Sequence, residues 1–283
     1  MRRIRLRSIT AAVARLQGFR IGSPAHKELF CRAFIDSHEA YEPSDLPWPE
    51  LDTTAAARLR GLPFWSMALQ AETNAGAMVQ AFAATIDDPL VREAVALQGY
   101  EEGRHARMLR VLSDRYGLDA LAGPPQLRPG QGAFIHFGYR ECLDSFIGFG
   151  AFRIAREHRI LPEALIALFS RVLWEEARHI VFFVNWLGYE RTRRNLSPLA
   201  QILATGIGYG FAFADLALTA LASNRRAATS FSTDSFPPVS LAGVVTAALT
   251  ENDELMAHFD PRLLRPQVMP ALARIARQFA PDG

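Results

Sequence analysis

The sequence predicts an all-α protein built on a four-helix bundle of two antiparallel hairpins, with additional N- and C-terminal helices. Apolar residues recur at helical spacing over long stretches separated by Pro and Gly, and strand-like alternation is sparse. Two of these stretches also carry a Glu three residues before a His, in the strings EEGRH (101–105) and EEARH (175–179). On a helix, this spacing puts both side chains on one face, about one turn apart.

Three regions follow from this pattern. We expect a helical or irregular N-terminal extension over residues 1–63 and the bundle over residues 64–195. Residues 196–283 are predicted to form C-terminal helices packed on the bundle.

Composition narrows the class of protein. The chain has 283 residues, of which 49% are hydrophobic, so a large core can form and general disorder is excluded. The 31 basic and 29 acidic residues nearly balance, which makes nucleic acid an unlikely partner. Cys31 and Cys142 are too few for a disulfide framework and fit reduced packing residues in a cytoplasmic protein. The basic N-terminus lacks the apolar segment of a secretory signal and is interpreted as a surface helix.

Turn and capping residues divide the bundle region into two hairpins. In the first, a helix over about Phe64–Thr85 is followed by a helix over about Pro89–Tyr116. Asp88 is a typical helix N-cap, and Gly117 a typical helix end. A linker at Gly123–Gly132 leads to the second hairpin, whose helices cover about Ala133–His158 and Pro162–Arg191.

Hairpin spacing brings four Glu to similar heights in the bundle. Glu72 and Glu102 each lie 13 residues from the turn of the first hairpin, or about 20 Å. Glu141 and Glu176 lie 16 and 14 residues from the turn of the second, or about 24 and 21 Å. Each antiparallel hairpin therefore brings a lone Glu level with a Glu-x-x-His pair.

Six side chains are therefore predicted to bind two metal ions. Buried carboxylates are costly unless they are protonated, paired or bound to metal, and carboxylate with imidazole suits iron or manganese. We assign Glu72, Glu102 and His105 mainly to one ion, Glu141, Glu176 and His179 mainly to the other, and Glu102 and Glu176 as bridges. Asp144 competes with Glu141 for its position, and a single Glu-x-x-His is more often a surface pair.

Over about residues 64–191 the sequence resembles the ferritin-like di-iron carboxylate superfamily. Soluble di-iron monooxygenases and acyl-carrier desaturases carry an acid-Glu-x-Arg-His string here, and both strings of this chain fit it. The resemblance implies that Glu175 supports His105 and pairs with Arg104, and that Glu101 supports His179 and pairs with Arg178. The first acid is usually Asp in those enzymes, whereas here it is Glu in both strings. The alternative for Glu101 and Glu175 is a pair of solvated charges beside intrahelical Arg neighbours.

The resemblance also implies an activity. It favours an O2-dependent oxidoreductase with two iron ions, or an iron–manganese pair, that hydroxylates, desaturates or N-oxygenates a small, largely apolar substrate. Ser145, one turn after Glu141, stands where several relatives have a Thr thought to help deliver protons, although a helical Ser often bonds its own backbone. Electrons would come from a separate donor, because no flavin, ferredoxin or nucleotide motif is present.

Two other functions remain open at this point. Iron handling, as a ferroxidase or a peroxide scavenger, needs the same ligands, but the chain is longer than such bundles. A tRNA-modifying hydroxylase is also possible within the superfamily, although the Arg residues are scattered rather than gathered in one basic run. Small residues beside the ligands, among them Gly76 and Gly148, indicate either a substrate void or close helix packing.

The segment after the bundle is unusually apolar. Leu199–Ala222 carries one charge, Asp215, and is long enough to span a bilayer. We interpret it first as a buried helix laid against the bundle or as a homodimer interface, and then as a membrane-surface helix or a span. After a polar loop (223–240), two terminal helices are expected over about Leu241–Phe259 and Arg262–Phe279.

Overall fold

The computed structural model describes residues 19–62, 64–125, 130–227 and 240–279. These residues form nine α-helices and no strand, which confirms the all-α class. The helices are α1 (Pro24–Asp36), α2 (Thr53–Arg60), α3 (Trp65–Ala83), α4 (Pro89–Tyr116), α5 (Gln131–Glu157), α6 (Glu163–Arg193), α7 (Pro198–Ala227), α8 (Leu241–Met256) and α9 (Val268–Phe279). The basic N-terminus, part of the Gly123–Gly132 linker and most of the 223–240 loop lie outside the described residues.

Helices α3 and α4 form an antiparallel pair. A Cβ added to Gly76 would lie 2.9 Å from the backbone N of Gly103, and one added to Gly99 would lie 2.8 Å from the backbone N of Gln80. Gly76 lies opposite Gly103, whereas Gln80, later on α3, lies opposite Gly99, earlier on α4. The two helices therefore run in opposite directions. The absence of side chains at Gly76 and Gly99 lets them approach closely, so Gly76 serves close helix packing.

The boundaries of α4 match the sequence prediction because the capping residues set them. Asp88 accepts hydrogen bonds from the backbone N–H groups of Leu90 and Val91, at 3.1 and 3.2 Å. Pro89 occupies the first turn, and Gly117 ends the helix with a left-handed φ of 65°.

Helices α5 and α6 form a second antiparallel pair. The ring of Phe134 lies 4.9 Å from that of Trp186, and Gly138 leaves room for the ring of Phe183. The two pairs are joined by α3 packing on α5, where Phe82 stacks on Phe134 at 4.8 Å, and by α4 packing on α6 through polar contacts described below.

Helix α1 packs against both α4 and α6 and was not resolved as a separate element by the sequence analysis, which placed it in the N-terminal extension. Ser23 caps it by accepting a hydrogen bond from the backbone N–H of His26, and Pro24 follows in its first turn. Its apolar side chains Phe30, Cys31 and Phe34 are buried in the main core. The extension is therefore part of the packed structure.

Helix α7 lies along α5 but is mostly exposed. Only 11% of an 18-residue stretch within Pro198–Thr219 is buried, although that helix is long and apolar enough to cross a membrane. Tyr209 and Ala212 face inward, whereas Ile202, Ile207 and Phe211 are each more than 60% exposed. The interpretation of this segment as a buried helix is wrong, because α5 covers only one narrow side of it.

Helices α8 and α9 complete the described structure. Gly150 of α5 approaches Ala248 of α8, and Arg153 and Arg156 of α5 form ion pairs with Glu251. Helix α9 begins at Val268, later than the expected start at Arg262, because the intervening residues form turns.

Candidate metal centre

Four helices bring the predicted ligands together at one level of the molecule. Glu72 comes from α3, Glu102 and His105 from α4, Glu141 from α5, and Glu176 and His179 from α6. One ligand atom each from Glu72, Glu102, His105 and Glu176 lies within 4.8 Å of the others, which makes this group a possible metal site.

Glu102 and Glu176 each face both imidazole rings. The Nδ1 atom of His105 lies 3.0 Å from Oε1 of Glu176 and 3.8 Å from Oε2 of Glu102. The Nδ1 atom of His179 lies 3.0 Å from Oε1 of Glu102 and 3.6 Å from Oε2 of Glu176. The two oxygens of each carboxylate thus point toward different rings, which is the arrangement that a carboxylate bridging two ions requires.

Glu72 and Glu141 lie beside these four side chains. Oε2 of Glu72 is 3.6 Å from Nδ1 of His105, and Glu141 lies beside Glu176. Asp144, the competitor of Glu141, instead accepts a hydrogen bond from Arg140 at 2.9 Å. The geometry therefore assigns the acid of α5 at this level to Glu141.

The cluster contains buried polar atoms without hydrogen-bond partners among the described residues. Nδ1 of His105, Nδ1 of His179 and Oε2 of Glu176 make no hydrogen bond of acceptable geometry, although carboxylate oxygens lie nearby. Buried polar atoms are rarely left in this state without a reason. These two imidazole nitrogens and one carboxylate oxygen, buried and unpaired, fit the ligand atoms of bound cations.

The opposite ring nitrogens are held by the first Glu of each string. Nε2 of His105 lies 2.8 Å from Glu175, and Nε2 of His179 lies 2.9 Å from Glu101. These contacts are the ones that the resemblance implied. A proton on Nε2 that is donated to the carboxylate leaves the Nδ1 lone pair directed at the cluster.

Two buried arginines hold these carboxylates in turn. Arg104 donates to Glu175 at 2.7 Å, and Arg178 donates to Glu101 at 2.8 Å, so each string supports the histidine of the other. Both guanidinium groups are essentially inaccessible to solvent. The alternative of two solvated acids is excluded, because Glu101 and Glu175 are also buried.

Residues from α1 and the segment after it enclose this outer layer. Arg178 also donates to the carbonyl of Phe34 at 2.5 Å and to the hydroxyl of Ser37 at 2.8 Å. Arg104 donates to the carbonyl of Glu39 at 2.9 Å. The C-terminal end of α1 is thereby fixed to both strings.

His38 and Tyr41 are contacts that the sequence analysis missed. Nδ1 of His38 lies 2.6 Å from Glu101, and the Tyr41 hydroxyl donates to Glu175 at 3.3 Å. The Tyr41 ring also lies 3.9 Å from the guanidinium carbon of Arg104. Both residues lie in an irregular segment, so no periodic pattern marks them.

The pKa shifts show how the cluster balances its charge with protons. Burial raises the pKa of Glu72 to about 8, and burial with the charge of Glu176 raises the pKa of Glu141 well above its usual value. Burial lowers the pKa of His105 and His179, but their carboxylate neighbours outweigh it and shift both pKa values well upward. Without a bound cation, these shifts favour the protonated forms of Glu72, Glu141 and both imidazoles.

One side of the cluster is more open than the other. The side chains of Glu102, His105 and His179 are at most 2% exposed, whereas those of Glu72 and Glu176 keep 23% and 15%. Ser145 is buried one turn after Glu141 on α5. Access from solvent is thus on the side of Glu72 and Glu176, away from the arginine layer.

Comparison with known proteins does not name this arrangement. No protein-family model, curated protein or solved structure matches the chain. The described part of the molecule is therefore identified by its chemistry alone, as a helical protein with a Glu/His cluster that can bind a metal ion.

Proposed function

We propose that this chain is a ferritin-like, O2-dependent oxidoreductase with a two-iron or iron–manganese centre. The observation that carries the proposal is that Glu102 and Glu176 each face both Nδ1 atoms of His105 and His179. The antiparallel pairs α3–α4 and α5–α6 support a ferritin-like four-helix arrangement.

The ligand assignment rests on contacts within the cluster. Glu72 lies 3.6 Å from Nδ1 of His105 and would hold one ion with it, and Glu102 and Glu176 would bridge the two ions. We assign Glu141, which lies beside Glu176, to the other ion with His179. With neutral imidazoles the six side chains carry four negative charges, which two divalent ions balance. This balance would offset both the burial and the repulsion from Glu176 that raise the pKa of Glu141.

The side chains around the ligands would orient the histidines, admit substrate and hold a proton. When bound, such a pair of ions supplies reducing equivalents for the activation of O2. Glu101 and Glu175 hold the Nε2 protons of the two histidines and fix their ring orientation. We expect a small, largely apolar substrate to approach beside Glu72 and Glu176, the more exposed acids, and Ser145, one turn after Glu141, to hold a proton. A separate protein or reductant supplies the electrons.

The buried arginine–carboxylate pairs around the cluster favour oxidation chemistry over simple iron storage. Two buried arginines, each paired with a carboxylate that holds a histidine, restrict movement of the ligands. Storage requires ions to pass through, for which looser carboxylates suffice, whereas controlled reaction with O2 requires fixed ligands.

The test is an O2-consumption experiment on full-length protein loaded with Fe(II) without oxygen. We expect O2 to be consumed in proportion to protein, and a mixture of small apolar compounds added with a reductant to yield a product oxidised by hydroxylation, desaturation or N-oxygenation. The Ser145→Ala variant is expected to keep its iron and to form product more slowly. Iron oxidation that continues far beyond the bound ions without any organic product would instead establish an iron-handling protein.

A further inference from the structure

Helix α7 has its polarity reversed relative to an ordinary surface helix. Its buried positions are Tyr209 and Ala212, and the polar side chains of Gln201, Thr205, Asp215 and Thr219 lie at partly buried positions. Between residues 199 and 221, every position classed as exposed is apolar or Gly: Leu199, Ile202, Leu203, Gly206, Ile207, Gly210, Phe211, Phe213, Ala214, Ala217, Leu218 and Leu221. We call these residues the outer face of α7. A continuous apolar surface of this kind on a globular protein marks an interaction site.

We propose that the outer face of α7 docks the protein on the surface of an anionic phospholipid bilayer, with the helix parallel to the membrane plane. The apolar stretch 199–221 measures about 34 Å at 1.5 Å per residue, and a helix lying in the interface buries such a face into the headgroup and acyl boundary. This interaction is separate from the metal chemistry proposed above.

Contacts with α5 and α6 fix α7 to the rest of the protein and disfavour an orientation in which it crosses the bilayer. Asp215 pairs with Nε2 of His136 on α5 at 2.6 Å, and Thr205 accepts a hydrogen bond from Arg191 at 2.8 Å. The ring of Tyr209 lies 5.0 Å from that of Tyr139. A helix that crossed the bilayer would carry these polar groups, and the part of α5 bonded to them, into the hydrocarbon region, which is costly.

The net charge of α7 and its flanking residues indicates a membrane with anionic lipids. Residues 190–227 contain five arginines and two acids, a net charge that exceeds that of the whole chain. Both acids are paired with basic neighbours: Glu190 with Arg193 and Arg194, and Asp215 with His136. Each additional basic residue near an anionic surface strengthens the attraction.

The same charge distribution disfavours a second copy as the occupant. The sequence places arginines before the start of α7 (Arg193 and Arg194) and in its last two turns (Arg225 and Arg226). Two copies packed face to face, in either direction, would bring like charges together at both ends. Lipid headgroups offer the opposite charge along the whole helix. Gly206 and Gly210, which have open space above them, would nevertheless permit close packing of two copies, so the test includes that outcome.

The experiment is co-sedimentation of full-length, iron-loaded protein with lipid vesicles. Vesicles of phosphatidylcholine alone are compared with vesicles that also contain phosphatidylglycerol, at low and high salt. We expect at least about tenfold tighter binding to the anionic vesicles, weakened by salt, because residues 190–227 carry three net positive charges.

Two variants distinguish binding through the outer face of α7 from non-specific hydrophobic binding to vesicles. Phe211→Glu places a charge in the centre of the outer face, at a side chain that is 62% exposed, and is expected to reduce vesicle binding at least about tenfold. Leu121→Glu makes the same kind of change at a 77% exposed leucine in the loop after α4 and should leave binding unchanged. Helix content by circular dichroism should be the same in both variants.

Three results would overturn the proposal. One is wild-type protein that sediments with neither kind of vesicle, and another is Phe211→Glu protein that binds as tightly as wild type. The third is a wild-type dimer in light scattering that Phe211→Glu converts to monomers without any vesicle binding, which would assign the outer face to a second copy.

Discussion

The doubled acid in each string is the most informative feature at the residue scale. Consecutive helical residues point about 100° apart, so Glu101 and Glu102 face different neighbours although both are buried. Glu102 faces the two Nδ1 atoms, and Glu101 faces Arg178 and Nε2 of His179. One string therefore supplies a candidate ligand and a support for the ligand of the opposite helix.

The first prediction tests a bridging ligand. We expect wild-type protein to bind iron and Glu102→Gln to bind much less, because an amide supplies one oxygen where the carboxylate faces both rings. Glu93→Gln, an exposed change on the same helix, is the control and should bind iron as the wild type does. The measurement is iron per chain after anaerobic loading and gel filtration. Full iron content in Glu102→Gln would contradict the assignment.

The second prediction tests the outer carboxylate. Glu175→Gln keeps an oxygen that accepts from His105 but removes the charge that pairs with Arg104. We expect iron to remain and the rate of O2 consumption to change. The free energy of unfolding in urea should fall by about 3 kcal/mol, because a buried guanidinium loses its counter-charge. Glu163→Gln, exposed in the first turn of α6, should change neither quantity. A Glu175→Gln protein with unchanged O2 kinetics and stability would remove the proposed role of this residue.

At the scale of helices, local signals set most boundaries well. The range Pro89–Tyr116 was predicted from Asp88, Pro89 and Gly117, and the structure has the same range for α4. Helix α1 was not resolved because its short apolar pattern (Phe30, Cys31, Phe34) gains meaning only when it packs on α4 and α6. The same reason explains why His38 and Tyr41 were missed, since their contacts with Glu101 and Glu175 are made across more than 60 residues of chain.

The third prediction concerns the N-cap of α4. Burial raises the pKa of Asp88, but hydrogen bonds from Lys27 and from the backbone N–H of Val91 outweigh it, so the pKa lies below its usual value. Asp88→Ala should lower the free energy of unfolding by about 1 kcal/mol near neutral pH. A depressed folded-state pKa stabilises the protein above the unfolded pKa of about 3.9, and this contribution disappears as the pH falls through the folded value.

Chemical unfolding at several pH values checks this prediction. The difference between wild type and Asp88→Ala should be largest between about pH 5 and 7 and should shrink below about pH 4. Asp87→Ala, an exposed neighbour outside the cap, is the control. A difference that grows toward acid pH would have the wrong sign.

The fourth prediction compares two glycines for which the sequence left packing and void as alternatives. A Cβ at Gly76 would meet the backbone of Gly103 at 2.9 Å, so Gly76→Ala must separate α3 from α4 and should cost about 1–3 kcal/mol. Gly148 has nothing within 4 Å of an added Cβ, so Gly148→Ala should stabilise α5 by up to about 1 kcal/mol. Thermal unfolding of the two variants provides the comparison. Equal effects would show that helix separation does not control this pair.

At the scale of the whole molecule, the described residues form a packed helical core to which the exposed apolar helix α7 is attached. The spacing of ligands along the helices could be read from the sequence because helical rise and hairpin turns fix it, and all six predicted ligands lie on the four expected helices. The exposure of α7 could not be predicted from the sequence, because an apolar segment is compatible with burial, dimerisation or membrane contact until its neighbours in the structure are known. The choice depends on α5, which covers only the side of α7 that carries Tyr209 and Ala212.

The central claim is that six side chains from four helices hold a pair of metal ions. The most direct measurement is anomalous X-ray scattering at the iron edge from crystals of the iron-loaded protein. The account predicts two peaks, about 3.5–4 Å apart, between Glu102 and Glu176, one beside Nδ1 of His105 and one beside Nδ1 of His179. A single peak, or iron bound only outside this cluster, would contradict it.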